Sequence, residues 1–229
     1  MSTASCRVCG SEAAVLRGSK PERLYFHCGG CDCVFLDPTR WLDAQSEKDR
    51  YCLHRNEATP EYEAFLGRLA NPLLQILGAA SSEGLDFGCG PHPVLAALFE
   101  RNGHKVKSYD PIFFPQASFL ESRYDFITCS EAAEHFHEPL KEFQLLDRLI
   151  KPQGHLAVMT QMKKSWDGFF DWYYPRDPTH VVFYSPRTMR WLAHYFDWEL
   201  RFFPENAVIF QKAARSAGSA NSDRCGCSQ

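Results

Sequence analysis

The nine residues LDFGCGPHP, 85 to 93, constrain this chain more than any other stretch. An apolar run ends in Gly88 and Gly90, and the helical pattern PVLAALFERNG begins at once. A strand that turns directly into a helix is the opening unit of a parallel sheet, because parallel neighbours need a crossover connection. Pro93 near the helix start and Gly103 as its stop agree with the end preferences of helices. The alternation continues downstream. KVKSYD and YDFITCS read as strands, EPLKEFQLLDRLI as a helix and GHLAVMT as a further strand. SPRTMRWLAHYF reads as a helix, with Ser185 suited to the N-cap and Pro186 to the first turn. WELRFF and NAVIFQK are close enough to form a terminal antiparallel pair. The expected fold is α/β: a doubly wound, mostly parallel sheet over residues 81–212, with helices on both faces.

The flanks differ in kind. Residues 1–40 hold five of the ten cysteines together with short β-like runs, LYFHC and CVFLD. Cys6 and Cys9 form one CxxC pair, Cys28 and Cys31 a second, with eighteen residues between them. Two such turns complete a tetrahedral thiolate site for Zn²⁺, and four protein ligands leave no open position, so the metal's role is structural. Gly10, Gly29 and Gly30 are expected to supply permissive backbone around it. Cys33 and His27 adjoin the site without belonging to it. Residues 41–80 form a helical connector, in which Phe65, Leu66, Leu69, Leu73, Leu74 and Leu77 make an apolar stripe. Residues 213–229 are small and polar, which suits a disordered tail, and Cys225 and Cys227 there read as incidental thiols.

A length of 229 residues suits one sizeable domain with a small appendage. The net charge of −3, without a Lys/Arg run, argues against a nucleic-acid partner. There is no signal-peptide pattern and no run of roughly 18 apolar residues, so a cytoplasmic, reducing location is expected and no membrane contact.

The glycine turn should approach a ligand at the carboxyl ends of the strands. Asp110, twenty residues after Gly90, stands where a carboxylate accepts hydrogen bonds from ribose hydroxyls. NAD and S-adenosylmethionine both fit so far. Three features tilt the choice to the second. Pro93 replaces the last glycine of a dinucleotide fingerprint. Asp86 would repel a pyrophosphate but suits the ammonium of a methionine moiety. YDFITCSEAAEHF then runs from a strand into a loop with Glu131, Glu134 and His135.

LDFGCGP, the acid of SYDP, YDFITCSEAAEHF and LLDRLIKPQGHLAVMT together resemble the class I S-adenosylmethionine-dependent methyltransferases, in the family's order across residues 84 to 160. More narrowly, with DPTHVVFYSPRTMRWLA, the chain is similar to bacterial methyltransferases that carry an amino-terminal zinc ribbon. The resemblance implies a seven-stranded, Rossmann-like sheet with a reversed last strand. It also implies that Asp86, Gly88, Cys89 and Gly90 line the methionine part of the cofactor, Asp110 the ribose, and Cys129, Ser130 and Glu131 the remaining wall. Two departures stand out. His92 replaces a common glycine, and only thirteen residues, 111 to 123, are left for the third strand and its helix. Ile112 and Phe113 there can pack on an adenine or in the core.

Methyl transfer from a sulfonium needs alignment and dryness, and a base only where the acceptor must lose a proton. His180, His135 and Glu131 are the candidates for that role, with His137 and Glu134 nearby. Trp166, Phe169, Phe170, Trp172, Tyr173 and Tyr174 precede His180 and are expected to form a lid over the ligand edge, with Arg176 pairing an acidic group. The acceptor is expected to be a small molecule. The alternatives are an RNA acceptor, an inactive methyltransferase-like zinc-ribbon interaction protein, and an NAD-dependent dehydrogenase.

Overall fold

The computed structural model describes residues 3–53, 57–204 and 206–214. The chain begins with four short antiparallel strands, β1 (Thr3–Ser5), β2 (Glu12–Val15), β3 (Tyr25–His27) and β4 (Val34–Leu36). Two helices follow, α1 (Ala44–Tyr51) and α2 (Pro60–Leu77). Asp43 caps the first, accepting from the amides of Gln45 and Ser46, and Thr59 caps the second through Tyr62.

The main sheet is built from β5 (Glu83–Phe87), β6 (Lys105–Tyr109), β7 (Tyr124–Ser130) and β8 (Ile150–Met159). Helix α3 (Val94–Arg101) joins β5 to β6, and α4 (Pro139–Leu149) joins β7 to β8. After a two-residue strand, β9 (Val182–Phe183), come α5 (Pro186–Phe196), β10 (Trp198–Phe203) and β11 (Ala207–Lys212). Ser185 and Thr188 close a capping box at the start of α5, as the sequence leads one to expect. The strand order is β10-β11-β8-β7-β5-β6, with β8, β7, β5 and β6 parallel and the terminal pair antiparallel.

The chain leaves β5 for β6 on one side and returns to β7 on the other. That reversal opens a crevice at the carboxyl ends of β5 and β7. Helices α2 and α3 cover one face through Leu66, Leu69, Leu73, Leu95 and Phe99, packed on Phe126, Ala157 and Ile209. The opposite face buries Phe143, Leu146, Met189 and Leu192 against Leu85, Ile127, Leu156 and Val208.

Four expectations need correction. The sheet has six strands, not seven, because residues 111–123 form a turn and one 3₁₀ helix, Ala117–Glu121, where a further strand was expected. The ribbon does not end near residue 40: β9 pairs with β4 and completes its sheet in the order β1-β2-β3-β4-β9. The connector is no separate unit, since α2 supplies a layer of the main core. The aromatic segment after β8 does not roof the crevice. Phe169 and Tyr174 are buried with Tyr25, Val34, Leu36 and Phe183, while Trp166 and Trp172 pack on that cluster, so these rings bind the ribbon to the main domain. Phe170 and Tyr173 are exposed. Residues 215–229 of the expected tail, Cys225 and Cys227 included, lie outside the described residues. Among the described residues no helix is long and apolar enough to cross a membrane.

Candidate active site

The crevice is a cavity of about 960 Å³. Its floor is the glycine turn, pinned in place by the amides of Gly88 and Cys89, which both donate to the carbonyl of Tyr109. Gly88 and Gly90 have φ of 75° and 64°, in the left-handed region that favours glycine. A Cβ on Gly88 would stand 2.6 Å from the Cβ of Ala132. Backbone can therefore form the cavity wall here, at a place where a side chain would fill it.

Gly88, Cys89, Gly90, Asp110, Ser130 and Glu131 all line the cavity. Asp86 and Cys129 are not among the lining residues. Asp86 is 3% exposed and lies behind the turn, where it accepts a 2.8 Å hydrogen bond from Thr128. Burial pushes its carboxyl up to about 7. It therefore braces β5 against β7 and stands behind the wall that meets a ligand. Cys129 turns into the core because side chains alternate along β7, which leaves Ser130 facing the cavity. The Ser130 hydroxyl is buried and has no hydrogen-bond partner among the described residues. Such an orphan on a cavity wall suits a polar ligand group. Asp110 accepts from the amide of Gly90 at 3.1 Å through one oxygen, and from Ile112 and Phe113 at 2.8 and 3.0 Å through the other. The first oxygen retains a lone pair for a ribose hydroxyl. Ile112 and Phe113 also line the cavity, whereas His92 is exposed and outside it.

Glu134, His135 and His180 also line the cavity. Glu134 is 1% exposed, and it accepts from the hydroxyls of Thr160, at 2.8 Å, and Tyr174. His135 donates Nδ1–H to the carbonyl of Thr179 at 3.0 Å, and His180 donates Nδ1–H to that of Tyr174 at 2.8 Å. A carbonyl only accepts, so in the neutral form of each ring the proton sits on Nδ1. Burial also lowers the pKa of His180, which favours the neutral ring. Glu131, by contrast, is ill suited to the role of base. Burial and then the charge of Glu134 push it up to about 9, so it holds its proton at neutral pH. Its left-handed φ of 48°, rare for a side-chain-bearing residue, is held by a 2.7 Å bond from its amide to Met159. Arg176 is exposed and does not reach the cavity.

The cavity's aromatic wall is one that sequence patterns do not single out. Tyr51 of α1, Tyr62 and Phe65 of α2, and Phe136 line it. Phe65 belongs to the apolar stripe of α2, and in sequence a cavity-facing ring at helical spacing looks the same as a core-facing one.

The cysteine cluster lies apart from this cavity. Ligand atoms of Cys6, Cys9, Cys28 and Cys31 are within 4.8 Å of one another. Sγ of Cys9 and Cys28 are 3.4 Å apart and those of Cys6 and Cys31 3.6 Å, close to the roughly 3.8 Å edge of a tetrahedral zinc–thiolate site. The amides of Val8 and Cys9 both point at Sγ of Cys6, as metal-binding turns require. The residues thus fit a structural zinc ion. The left-handed positions after each pair are Gly10 and Asp32, and neither Gly29 nor Gly30 has positive φ. His27 bonds Asp32 at 2.8 Å and stays outside the cluster. Cys33, fully buried, lies 3.4 Å from Sγ of Cys6.

Residues 54–201 match the model of a family described as a methyltransferase domain. The ubiquinone biosynthesis O-methyltransferase of Cronobacter sakazakii is 29% identical over 89 residues, 38% of this chain and 37% of that protein. Its counterpart from Vibrio cholerae is 32% identical over 81 residues, 35% of this chain and 33% of that one. The chain thus spans about a third of the length of these curated relatives. Among solved structures, magnesium protoporphyrin IX methyltransferase from Synechocystis PCC 6803, with bound S-adenosylhomocysteine, aligns at TM-score 0.51 and 11% identity. The alignment covers 75% of this chain and 95% of that one, a likeness of fold.

Proposed function

Because this chain belongs to the class I S-adenosylmethionine-dependent methyltransferases, we propose that it methylates a small, planar acceptor whose nucleophile is a hydroxyl or a comparable ionisable group. The observation that carries this reading is one cavity lined by two chemically distinct sets of residues. The glycine turn, Asp110 and Ser130 make up the first, assigned as the cofactor end, and Glu134, His135 and His180 the second, assigned as the acceptor end.

S-adenosylmethionine, when bound, supplies a methyl group on a positively charged sulfur. The chain's own part is to bind, align and exclude water. Backbone at Gly88 and Gly90 accommodates the amino-acid portion, with Ser130 as a further polar contact. Asp110 receives ribose, and Ile112 and Phe113 give the adenine an apolar bed that replaces the missing strand. Neutral Glu131 can donate a hydrogen bond, a role that its raised pKa allows. Tyr51, Tyr62, Phe65 and Phe136 offer an aromatic sleeve to the acceptor, and His135 and His180 act on its proton-bearing atom.

The ubiquinone-biosynthesis relatives methylate oxygen by name, which supports an O–H acceptor. The cysteine site is proposed to hold structural zinc.

Calorimetry with S-adenosylhomocysteine tests the first end. One molecule should bind per chain, and an Asp110→Ala variant should lose most of that affinity. A panel of phenolic and heteroaromatic acceptors tests the second. Product that forms with wild type and not with His180→Ala or His135→Ala supports the assignment. An absence of S-adenosylhomocysteine binding would refute it.

A further inference from the structure

Glu134, His135 and His180 form a cluster that alignment of a methyl donor does not by itself require. Each offers one ligand atom, and those atoms lie within 4.8 Å of one another. We propose that these three side chains hold a divalent transition-metal ion that binds the acceptor's oxygen. The inference rests on the methyltransferase reading above and specifies how the two imidazoles act: through a cation, not by taking the proton themselves.

Four observations carry it. The first is the donor set. Two imidazoles with one carboxylate suit Zn²⁺, Mn²⁺, Co²⁺ or Fe²⁺ better than Mg²⁺ or Ca²⁺, which favour all-oxygen ligands. The second is orientation from behind. Ligating histidines characteristically donate their other ring N–H to a carbonyl or carboxylate, and ligating carboxylates are themselves hydrogen-bonded. Here both Nδ1–H groups end on backbone carbonyls, of Thr179 and Tyr174, and Glu134 is held by the hydroxyls of Thr160 and Tyr174.

The third is rigidity. The ligands come from two segments, and the amide of Val181, next to His180, donates to the carbonyl of Glu134 at 2.9 Å. The two imidazole centroids are 4.8 Å apart. The fourth is charge. Among the described residues no Lys or Arg forms an ion pair with the buried Glu134. The two hydroxyls take one lone pair on each carboxylate oxygen and bring no positive charge; a bound cation would supply it through a remaining lone pair.

Three protein ligands leave coordination positions open to the cavity, as a working metal site requires. An acceptor hydroxyl bound there has its pKa lowered. Its O–H bond breaks, the proton leaves to solvent water and the electron pair stays on oxygen, facing the cation. No electron is transferred. The ribbon's four thiolates form a different kind of site, so the two metals are chemically distinguishable.

Cobalt titration of the full chain, with the ribbon's zinc retained and quantified, tests the proposal. A second equivalent of Co²⁺ should bind and give weak d–d absorption without thiolate charge-transfer bands. Proton NMR of that species should show two solvent-exchangeable, hyperfine-shifted imidazole N–H signals, one from each ring. This readout needs no variant. His180→Gln and Glu134→Gln should each weaken the second equivalent by roughly tenfold or more, while zinc in the ribbon remains stoichiometric.

Saturation at the ribbon alone would overturn the site, as would a second equivalent undiminished in both variants or lacking shifted imidazole protons. S-adenosylhomocysteine binding, measured on the same samples, reports separately on the methyltransferase reading. Cofactor bound without a second cobalt defeats only the metal site.

Discussion

Gly88 sits at φ 75° with Ala132 so close that an added methyl group would stand 2.6 Å from its Cβ. Gly88→Ala therefore combines backbone strain with a clash, and should cost about 1–3 kcal/mol in stability. Calorimetry should show S-adenosylhomocysteine affinity falling at least as steeply as the melting temperature. Asp86 invites a different test. Its carboxyl is pushed up from 3.8 to about 7 by burial. Between those values the unfolded chain releases a proton that the folded chain keeps, so stability falls as pH rises through that window. Below 3.8 nothing is lost, and above 7 the full cost stands, on the order of 4 kcal/mol. Asp86→Asn can still accept from Thr128, so its unfolding free energy should gain on wild type progressively from pH 4 to pH 7. A constant difference across that range would contradict a proton held in the fold. The sequence marks Asp86 and Cys129 as equals of Gly88 and Ser130, because position in a motif does not reveal the side on which a strand residue ends. Burial decides it: Asp86 and Cys129 are 3% and 0% exposed and absent from the wall.

At the scale of elements, the sheet was legible wherever a strand was long enough to show apolar character, as in YDFITCS and GHLAVMT. Capping chemistry at Ser185 and the stop at Gly103, with φ of 87°, were legible for the same local reasons. Strand β9 was not, since two residues show no period, and its partner β4 is remote in sequence. The aromatic segment misled because ring density records only that burial occurs, and here the rings are buried against the ribbon. The pairing has a functional corollary. Strand β4 meets β9, the amide of Leu36 bonds Val181, and that of Val181 bonds Glu134, so ribbon geometry passes directly to His180. Arg7, between the first two cysteines, also reaches the carbonyl of His137 and the carboxylate of Glu138. Chelating the metal proposed for the cysteine cluster, or the change Cys28→Ser, should depress turnover at least tenfold, whereas S-adenosylhomocysteine affinity should change much less. Equal losses in both would indicate general unfolding in place of a displaced acceptor end.

Over the whole molecule, Cys6, Val8, Phe26 and Phe35 of the ribbon share one continuous core with Leu85, Ile127, Leu156 and Met189. An appendage with its own core would melt by itself. This chain should instead show a single calorimetric transition for the zinc-loaded protein, with calorimetric and van't Hoff enthalpies in agreement. Two separated transitions would contradict the shared core. A chain lacking residues 1–40 should be poorly soluble, because it bares Val181, Phe183 and the rings packed on them. The division into ribbon, connector and main domain was readable from composition; their fusion into one core was not, because it depends on contacts between distant segments. That arrangement also imposes an order on synthesis. The cysteine turns are synthesised before the main sheet and can form from local sequence alone. The outer edge of β4 then has no partner until residues 182–183 emerge, so for most of translation the nascent chain carries an open strand edge of the kind that invites mispairing. The same pairing that finally covers that edge also sets His180 beside Glu134, so this wall of the cavity forms only after β9 has met β4.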